Sequence, residues 1–252
     1  MAKKSDAIAV FDSGVGGISV LKELVRPLPE ETFLYFGDSA NAPYGTKTTH
    51  QVRELTLQAA NMLLNRNVKA LVVACNTATA AAIDTLRQTW PDRIIVGIEP
   101  AVKVAADCFP TGKVGVLATP VTLQEEKFLH LTEKFPQMQV FPIPLPGLVE
   151  RIEAGVSEEE IEAFLAPTLS AYYGQLDAAV LGCTHYPFAA GVIARLLGAN
   201  TKILDGGKGT AQQTRRRLEE KGLLANGQGQ VIMENSSGDP KLILRCMQLL
   251  ED

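Results

Sequence analysis

Apolar runs of strand length recur along the chain, and amphipathic stretches separate them. Runs without polar interruption are typical of strands that are buried on both faces of a sheet. Such runs occupy residues 7–11, 32–37, 70–74, 93–98, 113–118, 178–182 and 201–205. The stretches "ISVLKELVRPL", "HQVRELTLQAANMLLNR", "VTLQEEKFLHLTEKF" and "EEEIEAFLAPTLSAYYG" between them have helical periodicity. Alternating strands and helices predict an α/β fold with mostly parallel sheets flanked by helices.

Part of this pattern occurs twice. "ALVVACNTATAAAI" resembles "AAVLGCTHYPFAAGVI", and more weakly "AIAVFDSGVGGISVLKEL" resembles "KVGVLATPVTLQEEKFL". These echoes predict two pseudo-symmetric α/β domains, one formed by residues 1–97 and the other by residues 98–207. The tail, about 208–252, could pack on either half, and we assign it to the first. Ligands of open α/β sheets bind beyond the carboxyl ends of strands, so we expect an active site in the cleft between the domains.

Composition and charge argue against several functional classes. The 252 residues are 46% hydrophobic and 21% charged, which is typical of globular proteins. The formal net charge is −4, and acidic residues follow the triple arginine at 215–217, so a solvated helix face explains it better than a nucleic-acid patch. The start lacks the apolar region of a signal peptide, and no apolar run approaches a membrane span. We therefore expect a cytoplasmic protein without nucleic-acid or membrane partners, with a homodimer as one assembly left open.

Cys75 stands where a buried run ends and a helix-forming stretch begins. Free cysteine is often a small core hydrophobe, whereas a thiol at a helix N-terminus ionises easily, and this segment alone leaves both interpretations open. Cys183 holds the same place in the second copy of the pattern, while Cys108 and Cys246 have the surroundings of core residues. The four cysteines and three histidines show neither CxxC nor HxxxH spacing, so we expect no metal site.

Small polar residues follow several of the predicted strands. "DSGVGG" has two glycines of a dinucleotide-binding fingerprint, but Ser19 stands at the third position and no P-loop lysine follows. Asp12 and Ser13 could cap the next helix, or Asp12 could bind an ammonium group or pair with a thiol. The glycine amides could hold a carboxylate. Asp38 and Thr119 also follow strands and are further candidate site residues.

Four segments in combination resemble the cofactor-independent glutamate racemases. They are "FDSGVGGISVLKEL", "YFGDSANAPYGTKT", "VVACNTATA" and "LGCTHYPF", and their order and spacing match from Asp12 to about Thr210. The resemblance implies two pseudo-symmetric α/β domains with the active site between them. It also implies interconversion of L- and D-glutamate, which supplies D-glutamate for bacterial peptidoglycan.

The resemblance also assigns roles to individual residues. Cys75 and Cys183 match the two catalytic cysteines, and Asp12 and His185 are further catalytic candidates. The implied substrate-binding residues are Asp12, Ser13, Tyr44, Gly45, Asn76, Thr77, Thr184 and His185. Glu150 falls where the family has an acidic residue near the second cysteine. The chain departs from the family at Phe141, where a cysteine is expected, and in "LDGG" at 204–207, where Asp-Ser-Gly is usual.

The chemistry of racemisation explains a need for two thiols. One base must remove the Cα proton and an acid on the opposite face must return one, and thiolate and thiol serve these two roles. Both cysteines are predicted at helix N-termini, which favour the thiolate. His185 directly follows Cys183-Thr184 and could polarise that thiol. No cofactor is expected, and the resemblance suggests that Cys75 takes the proton from D-glutamate and Cys183 from L-glutamate.

Two other functions remain open from the sequence. A racemase of aspartate or a related acidic compound would share the two-thiol plan. A cysteine hydrolase would need a single nucleophile and an orienting base, which would leave the second cysteine without a task.

Overall fold

The computed structural model describes residues 2–98, 101–124, 128, 130 and 133–251. The chain divides into two compact units. The first consists of Met1–Glu99 and Gly207–Asp252, and the second of Pro100–Gly206. Each unit is built around one parallel β-sheet flanked by helices.

The sheet of the first unit contains five parallel strands in the order β4-β3-β1-β2-β9. Its strands are β1 (Ala7–Asp12), β2 (Thr32–Gly37), β3 (Val68–Val73), β4 (Ile94–Gly97) and β9 (Gln230–Asn235). Its helices are α1 (Ile18–Val25), α2 (Thr49–Leu64), α3 (Asn76–Thr89), α9 (Gly207–Glu220) and α10 (Pro240–Glu251). Short 3-10 turns at Ser39–Asn41 and Tyr44–Thr46 follow β2.

The sheet of the second unit contains four parallel strands in the order β6-β5-β7-β8. Its strands are β5 (Lys113–Ala118), β6 (Gln139–Pro144), β7 (Ala178–Leu181) and β8 (Lys202–Asp205). Its described helices are α4 (Val102–Cys108), α5 (Pro120–Gln124), α6 (Leu148–Ala154), α7 (Glu158–Leu169) and α8 (Ala190–Leu197). Short 3-10 turns lie at Ser170–Tyr172 and Tyr186–Ala189.

The two sheets share one strand order, which accounts for the repeated sequence pattern. Read from β8, the second sheet runs β8-β7-β5-β6, and this matches β4-β3-β1-β2 of the first sheet. The strand that precedes Cys75 therefore corresponds to the strand that precedes Cys183. In the same way, β1 corresponds to β5, so Ser13 and Thr119 follow equivalent strands.

All seven runs predicted as strands form strands, with ends that move by no more than two residues. Two further strands were not predicted, and both lie at sheet edges. "QVFPIP" forms β6, and "QVIMEN" within the tail forms β9. The helix predicted over 121–135 begins as α5, and part of that stretch lies outside the described residues.

Alternation along the central strands explains the two-sided core of the first unit. Ala9 and Phe11 of β1 face the cluster formed with α2 and α3, whereas Ile8 and Val10 are buried and point to the opposite face. Helix α1 packs against α9 and α10. The α2 helix starts with a capping box, in which Thr48 and Gln51 satisfy each other's backbone amides.

A buried ion pair ties three segments of the first unit together. The side chains of Lys69 and Glu31 are 0% and 2% exposed and form a salt bridge. Lys69 Nζ also donates hydrogen bonds to the carbonyls of Lys4, at 2.6 Å, and Leu223, at 3.0 Å. Glu31 Oε1 accepts from Ala225 N at 2.9 Å. The pair therefore fastens the connection between α9 and β9, as well as the start of the chain, to the sheet.

Breaking this ion pair should destabilise the protein strongly. The variant Lys69→Met leaves the Glu31 carboxylate buried without its counter-ion, and we expect the free energy of unfolding to fall by about 3–5 kcal/mol. Urea denaturation measures the change. Arg66→Met is the matched control, because Arg66 pairs with Glu234 at the surface and its loss should cost less than about 1 kcal/mol. Similar losses in the two variants would contradict this account.

Candidate active site

Cys75 is fixed by its position at the junction of β3 and α3. Ala74 N donates a 2.7 Å hydrogen bond to Phe11 O, which continues the pairing of β3 with β1 beyond the strand. Cys75 is then the N-cap of α3, and its Sγ accepts a hydrogen bond from Ala78 N at 3.4 Å. The amide donor and the start of a 14-residue helix both favour negative charge on this sulfur.

Ser13 and Asp12 lie beside Cys75 at the end of β1. Ser13 Oγ lies 3.4 Å from Cys75 Sγ. Asp12 is fully buried, and its carboxylate accepts a hydrogen bond from Gly14 N at 2.9 Å. Neither residue caps α1, because Gly17 holds the N-cap position of that helix. The capping interpretation of Asp12 and Ser13 is therefore wrong.

The segment after β2 adds Asp38 and Tyr44 to this cluster. Asp38 N donates to Asp12 O at 2.9 Å, and Tyr44 Oη donates to Asp38 Oδ2 at 2.7 Å. Burial raises the pKa of Tyr44 far above its usual value, and the Asp38 carboxylate and the nearby Cys75 and Asp12 raise it further. Tyr44 is therefore a neutral hydrogen-bond donor at physiological pH.

Gly45 lies in the 3-10 turn Tyr44–Thr46 and is partly buried. This turn packs against α3, the helix that Cys75 caps. The fold thus brings both members of the predicted Tyr44-Gly45 pair to the same part of the first unit as Cys75.

Asn76 carries the clearest signal of a ligand-binding group. It is the first residue of α3 and only 4% exposed, yet neither its amide nitrogen nor its amide oxygen has a hydrogen-bond partner in the described part of the chain. A buried amide without partners costs free energy unless a ligand or solvent satisfies it. Thr77 is buried beside it.

Cys183 follows β7 in the way that Cys75 follows β3. Gly182 N donates to Leu117 O at 2.7 Å, which is the counterpart of the Ala74–Phe11 bond. The expectation of a helix N-terminus at Cys183 is wrong, however. A 3-10 turn at Tyr186–Ala189 follows, with Pro187 in its first turn, and α8 begins only at Ala190. A helix start therefore accounts for the environment of Cys75 but not for that of Cys183.

Cys183 instead has an imidazole as its neighbour. His185 Nδ1 lies 3.8 Å from Cys183 Sγ, and His185 Nε2 lies 2.8 Å from Glu153 Oε1. Burial lowers the pKa of His185, but the hydrogen bonds and negative charges of Cys183 and Glu153 outweigh it and raise that pKa well above the usual value. A protonated imidazole between the two groups results.

Glu153 is the functional candidate that sequence reasoning missed. Glu150 and Glu153 both lie on α6, but Glu150 is exposed. Burial raises the pKa of Tyr186, and the negative charges of Cys183 and Glu150 raise it further. Buried Leu148 and Ile152 set the rotation of α6. The sequence held one signal for this choice. Glu153 directly follows the apolar Ile152, and helical periodicity places it at the edge of the buried face of α6.

Two candidate threonines of the second unit, Thr119 and Thr184, are buried near the ends of its central strands. Thr119 follows β5, is 8% exposed, and its Oγ1 accepts from Thr122 N at 3.3 Å and contacts Thr122 Oγ1 at 3.0 Å. Thr184 is 3% exposed and lies between Cys183 and His185 in the chain. Thr119 thus serves at least as a local cap for α5.

The described residues contain neither a metal-binding cluster nor a membrane-spanning helix. Among them, no group of three or more His, Cys, Asp or Glu side chains could hold a metal ion. None of their helices combines the length and apolar character that a membrane span requires. All four cysteines are free thiols, and Cys246 is buried as expected, whereas Cys108 is exposed, so the prediction of a core position for Cys108 is wrong.

Comparison with known proteins identifies relatives along the whole chain. A glutamate racemase of Clostridium botulinum is 47% identical over 256 aligned residues, which cover 100% of this chain and 99% of that protein. A glutamate racemase of Clostridium acetobutylicum is 46% identical and is covered completely. Their full-length alignment includes the segments around both cysteines.

Solved structures agree with these relatives. The crystal structure of Francisella tularensis glutamate racemase in complex with D-glutamate has a TM-score of 0.86 at 30% identity, covering 99% of this chain and 95% of that one. The Thermus thermophilus glutamate racemase in complex with β-chloro-D-alanine has a TM-score of 0.86 at 36% identity, covering 99% and 94%. The family model for Asp/Glu/hydantoin racemases matches residues 12–214. With two thiols at equivalent strand ends and this match over most of its length, the chain belongs to the Asp/Glu/hydantoin racemase family.

Proposed function

We propose that this chain interconverts L- and D-glutamate with Cys75 and Cys183 as its two acid–base groups. The observation that carries the proposal is the repetition of a thiol after equivalent strands, β3 and β7, each beside groups that favour its ionised form or exchange its proton. Relatives that are 46–47% identical along the full chain and named glutamate racemases support the choice of substrate.

The reaction requires proton transfer at one carbon atom from two sides. In the L-to-D direction, the Cys183 thiolate takes the Cα proton of L-glutamate, and the electron pair stays on the substrate as a carbanion. The Cys75 thiol then donates its proton to the opposite face of Cα, and D-glutamate leaves. The D-to-L direction exchanges the roles. The assignment of each thiol to one enantiomer follows from the resemblance to the racemase family.

Polar groups around Cys75 account for recognition of an amino acid. The amide of Asn76, which has no partner within the described residues, offers an NH2 donor group and a carbonyl acceptor, and Ser13 adds a hydroxyl beside the thiol. Asp12 supplies a buried negative charge suited to the substrate ammonium group. Thr77, Gly45 and, in the second unit, Thr184 are the remaining binding groups that we propose. No cofactor is part of this mechanism.

We place the reaction in the cytoplasm and its product in peptidoglycan synthesis. Free thiols persist in a reducing compartment, and a racemase that depends on two of them needs such conditions. D-Glutamate is the product that glutamate racemases supply for the bacterial cell wall, according to the family resemblance.

Circular dichroism of the substrate tests the proposed function directly. Protein dialysed against a chelator, without added cofactor, should bring either enantiomer of glutamate to the same racemic endpoint, at which the signal is zero. L- and D-aspartate are the control substrates and should react far more slowly. Faster conversion of aspartate would make the enzyme an aspartate racemase, and activity that returns only with metal or pyridoxal phosphate would remove the two-thiol mechanism.

Substitution of each cysteine separates the two roles. Cys75→Ser and Cys183→Ser should each lower kcat for racemisation at least about 100-fold, because a serine hydroxyl is much harder to ionise than a thiol. A glutamate analogue that expels a leaving group after deprotonation needs only the base. Cys75→Ser should process only the L-analogue, and Cys183→Ser only the D-analogue, in an assay of the released group. Activity of both variants on the same enantiomer would refute the division.

We propose further that Glu153 positions His185 and keeps it protonated next to Cys183. Its carboxylate oxygen Oε1 lies 2.8 Å from His185 Nε2, while His185 Nδ1 faces the sulfur at 3.8 Å. An imidazolium held in this orientation stabilises negative charge on Cys183 and can return a proton to it. Glu150, one turn earlier on α6, is exposed and suits this role less well.

Histidine titration provides a test of Glu153. Cys183 and Glu153 together raise the pKa of His185, and Glu153→Gln removes the second of these charges, so the imidazole should titrate at lower pH and kcat/KM should fall about tenfold. NMR of histidine-labelled protein measures the pKa, since the chain has only three histidines. Glu150→Gln is the matched control and should leave the His185 titration unchanged. If Glu150→Gln moves that titration and Glu153→Gln does not, the roles of the two residues are reversed.

A further inference from the structure

The turn after β9 is hydrogen-bonded to the segment that carries Tyr44. We call residues 38–46 the Tyr44 loop and residues 235–238 the β9 turn. We propose that Asn235 and Ser236 of the β9 turn are positioning residues for substrate binding, because they hold the Tyr44 loop in place beside Cys75. This inference rests on the proposed function, since it concerns the same site.

The β9 turn begins in register with the end of β2. Asn235 pairs with Gly37, the last residue of β2, and Ser236 N donates to Gly37 O at 3.0 Å. The C-terminal part of the chain thus reaches the sheet edge at the residue from which the Tyr44 loop departs. The pairing places both side chains of the turn next to the first residues of that loop.

Two side chains of the turn then hold the loop itself. Asn235 Nδ2 donates to Ser39 Oγ at 2.8 Å, and Ser236 Oγ accepts from Ala40 N at 3.0 Å. The 3-10 turn at Ser39–Asn41 is therefore attached by one side-chain bond and one backbone bond. These residues are separated from their partners by 196 positions in the chain.

The Asn235 amide is itself oriented by its surroundings. Its Oδ1 accepts from Ser237 N at 2.9 Å and from Ser237 Oγ at 2.7 Å, so Nδ2 must point toward the loop. Gly37 allows this close approach, because a Cβ at that position would lie 3.2 Å from Asn235 Nδ2 and 2.5 Å from Gly14 O. The amide orientation follows from this network, since every other choice would lose hydrogen bonds.

Hydrogen bonds of Asp38 connect the Tyr44 loop to the residues around Cys75. Asp38 N is bonded to Asp12 O, and Asp38 Oδ2 accepts from the Tyr44 hydroxyl. Asn41 Nδ2 donates to both carboxylate oxygens of Asp38 at 3.1 Å. Ser39 and Ala40 lie between Asp38 and Asn41 in the chain. The two hydrogen bonds from the β9 turn therefore hold the 3-10 turn that keeps Asn41 beside the Asp38 carboxylate.

Loss of these two hydrogen bonds should weaken substrate binding more than it slows proton transfer. The Cys75 thiol contacts Ser13 on one side and the first turn of α3 on the other, whereas Tyr44 and Gly45 belong to the loop that the β9 turn holds. A loosened loop must be ordered again when glutamate binds, which raises KM. The turnover number should change little, because proton transfer uses other groups.

Asn235→Leu tests the proposal, since leucine has similar size but cannot donate to Ser39. The variant loses the bond to Ser39 and also the two bonds that Ser237 donates to Oδ1, and we expect KM for glutamate to rise about three- to tenfold with kcat within about twofold. Hydrogen–deuterium exchange of backbone amides 38–46 should accelerate in the same variant without ligand. Ser236→Ala should show the same two effects more weakly, and Ser236→Thr, which keeps the hydroxyl, should restore wild-type values.

Glu234→Gln is the control, because Glu234 is the neighbouring residue of β9 and pairs with Arg66 rather than with the loop. It should leave KM and loop exchange unchanged. The exchange measurement needs no turnover, so it decides the anchoring even if glutamate proves to be the wrong substrate. Wild-type exchange of the loop or an unchanged KM in Asn235→Leu would overturn the proposal, and if that variant does not fold, the same results in Ser236→Ala would do so.

Discussion

The 2.7 Å hydrogen bond from Ala74 N to Phe11 O governs the geometry around Cys75. It extends the parallel pairing of β1 and β3 beyond the last strand residue, so the chain leaves the sheet with Cys75 opposite Ser13. Parallel strands present their carboxyl ends at one edge, and residues that follow them necessarily meet. The Gly182–Leu117 bond repeats this constraint at Cys183. Sheet pairing, rather than any side-chain contact, therefore decides where each thiol lies.

The two sheets have the same strand order, but different polar groups surround the cysteine in each unit. Asp12 occupies the end of β1, whereas Ala118 occupies the corresponding end of β5. The first unit thus draws its carboxylate from the strand itself, and the second obtains one from α6 through His185 and Glu153. Cys75 is surrounded by a hydroxyl and helix amides, and Cys183 by an imidazolium. The two thiols therefore occupy equivalent places on the scaffold but have different neighbours.

The sequence predicted the buried strands because a short, unbroken apolar run is typical of a strand that is covered on both faces. It did not reveal β6 or β9, since "QVFPIP" has two prolines at a sheet edge and β9 has no fully buried residue. The echo of Cys75 suggested a helix start at Cys183, but "HYPF" forms a 3-10 turn there. Motif spacing could not choose between Glu150 and Glu153, because that choice depends on how α6 rotates against its core.

The first unit is discontinuous in sequence, and this has a consequence for biosynthesis. Its edge strand β9 and the partners of Lys69 and Glu31 at Leu223 and Ala225 emerge from the ribosome after the entire second unit. A nascent chain of about 206 residues therefore contains a complete second sheet and a first sheet with an open edge. At that stage the ammonium of Lys69 can bind the carbonyl of Lys4, but the carbonyl of Leu223 has yet to be synthesised. Translation speed through the last fifth of the chain thus sets how long that vulnerable edge remains exposed to chaperones, proteases and other copies.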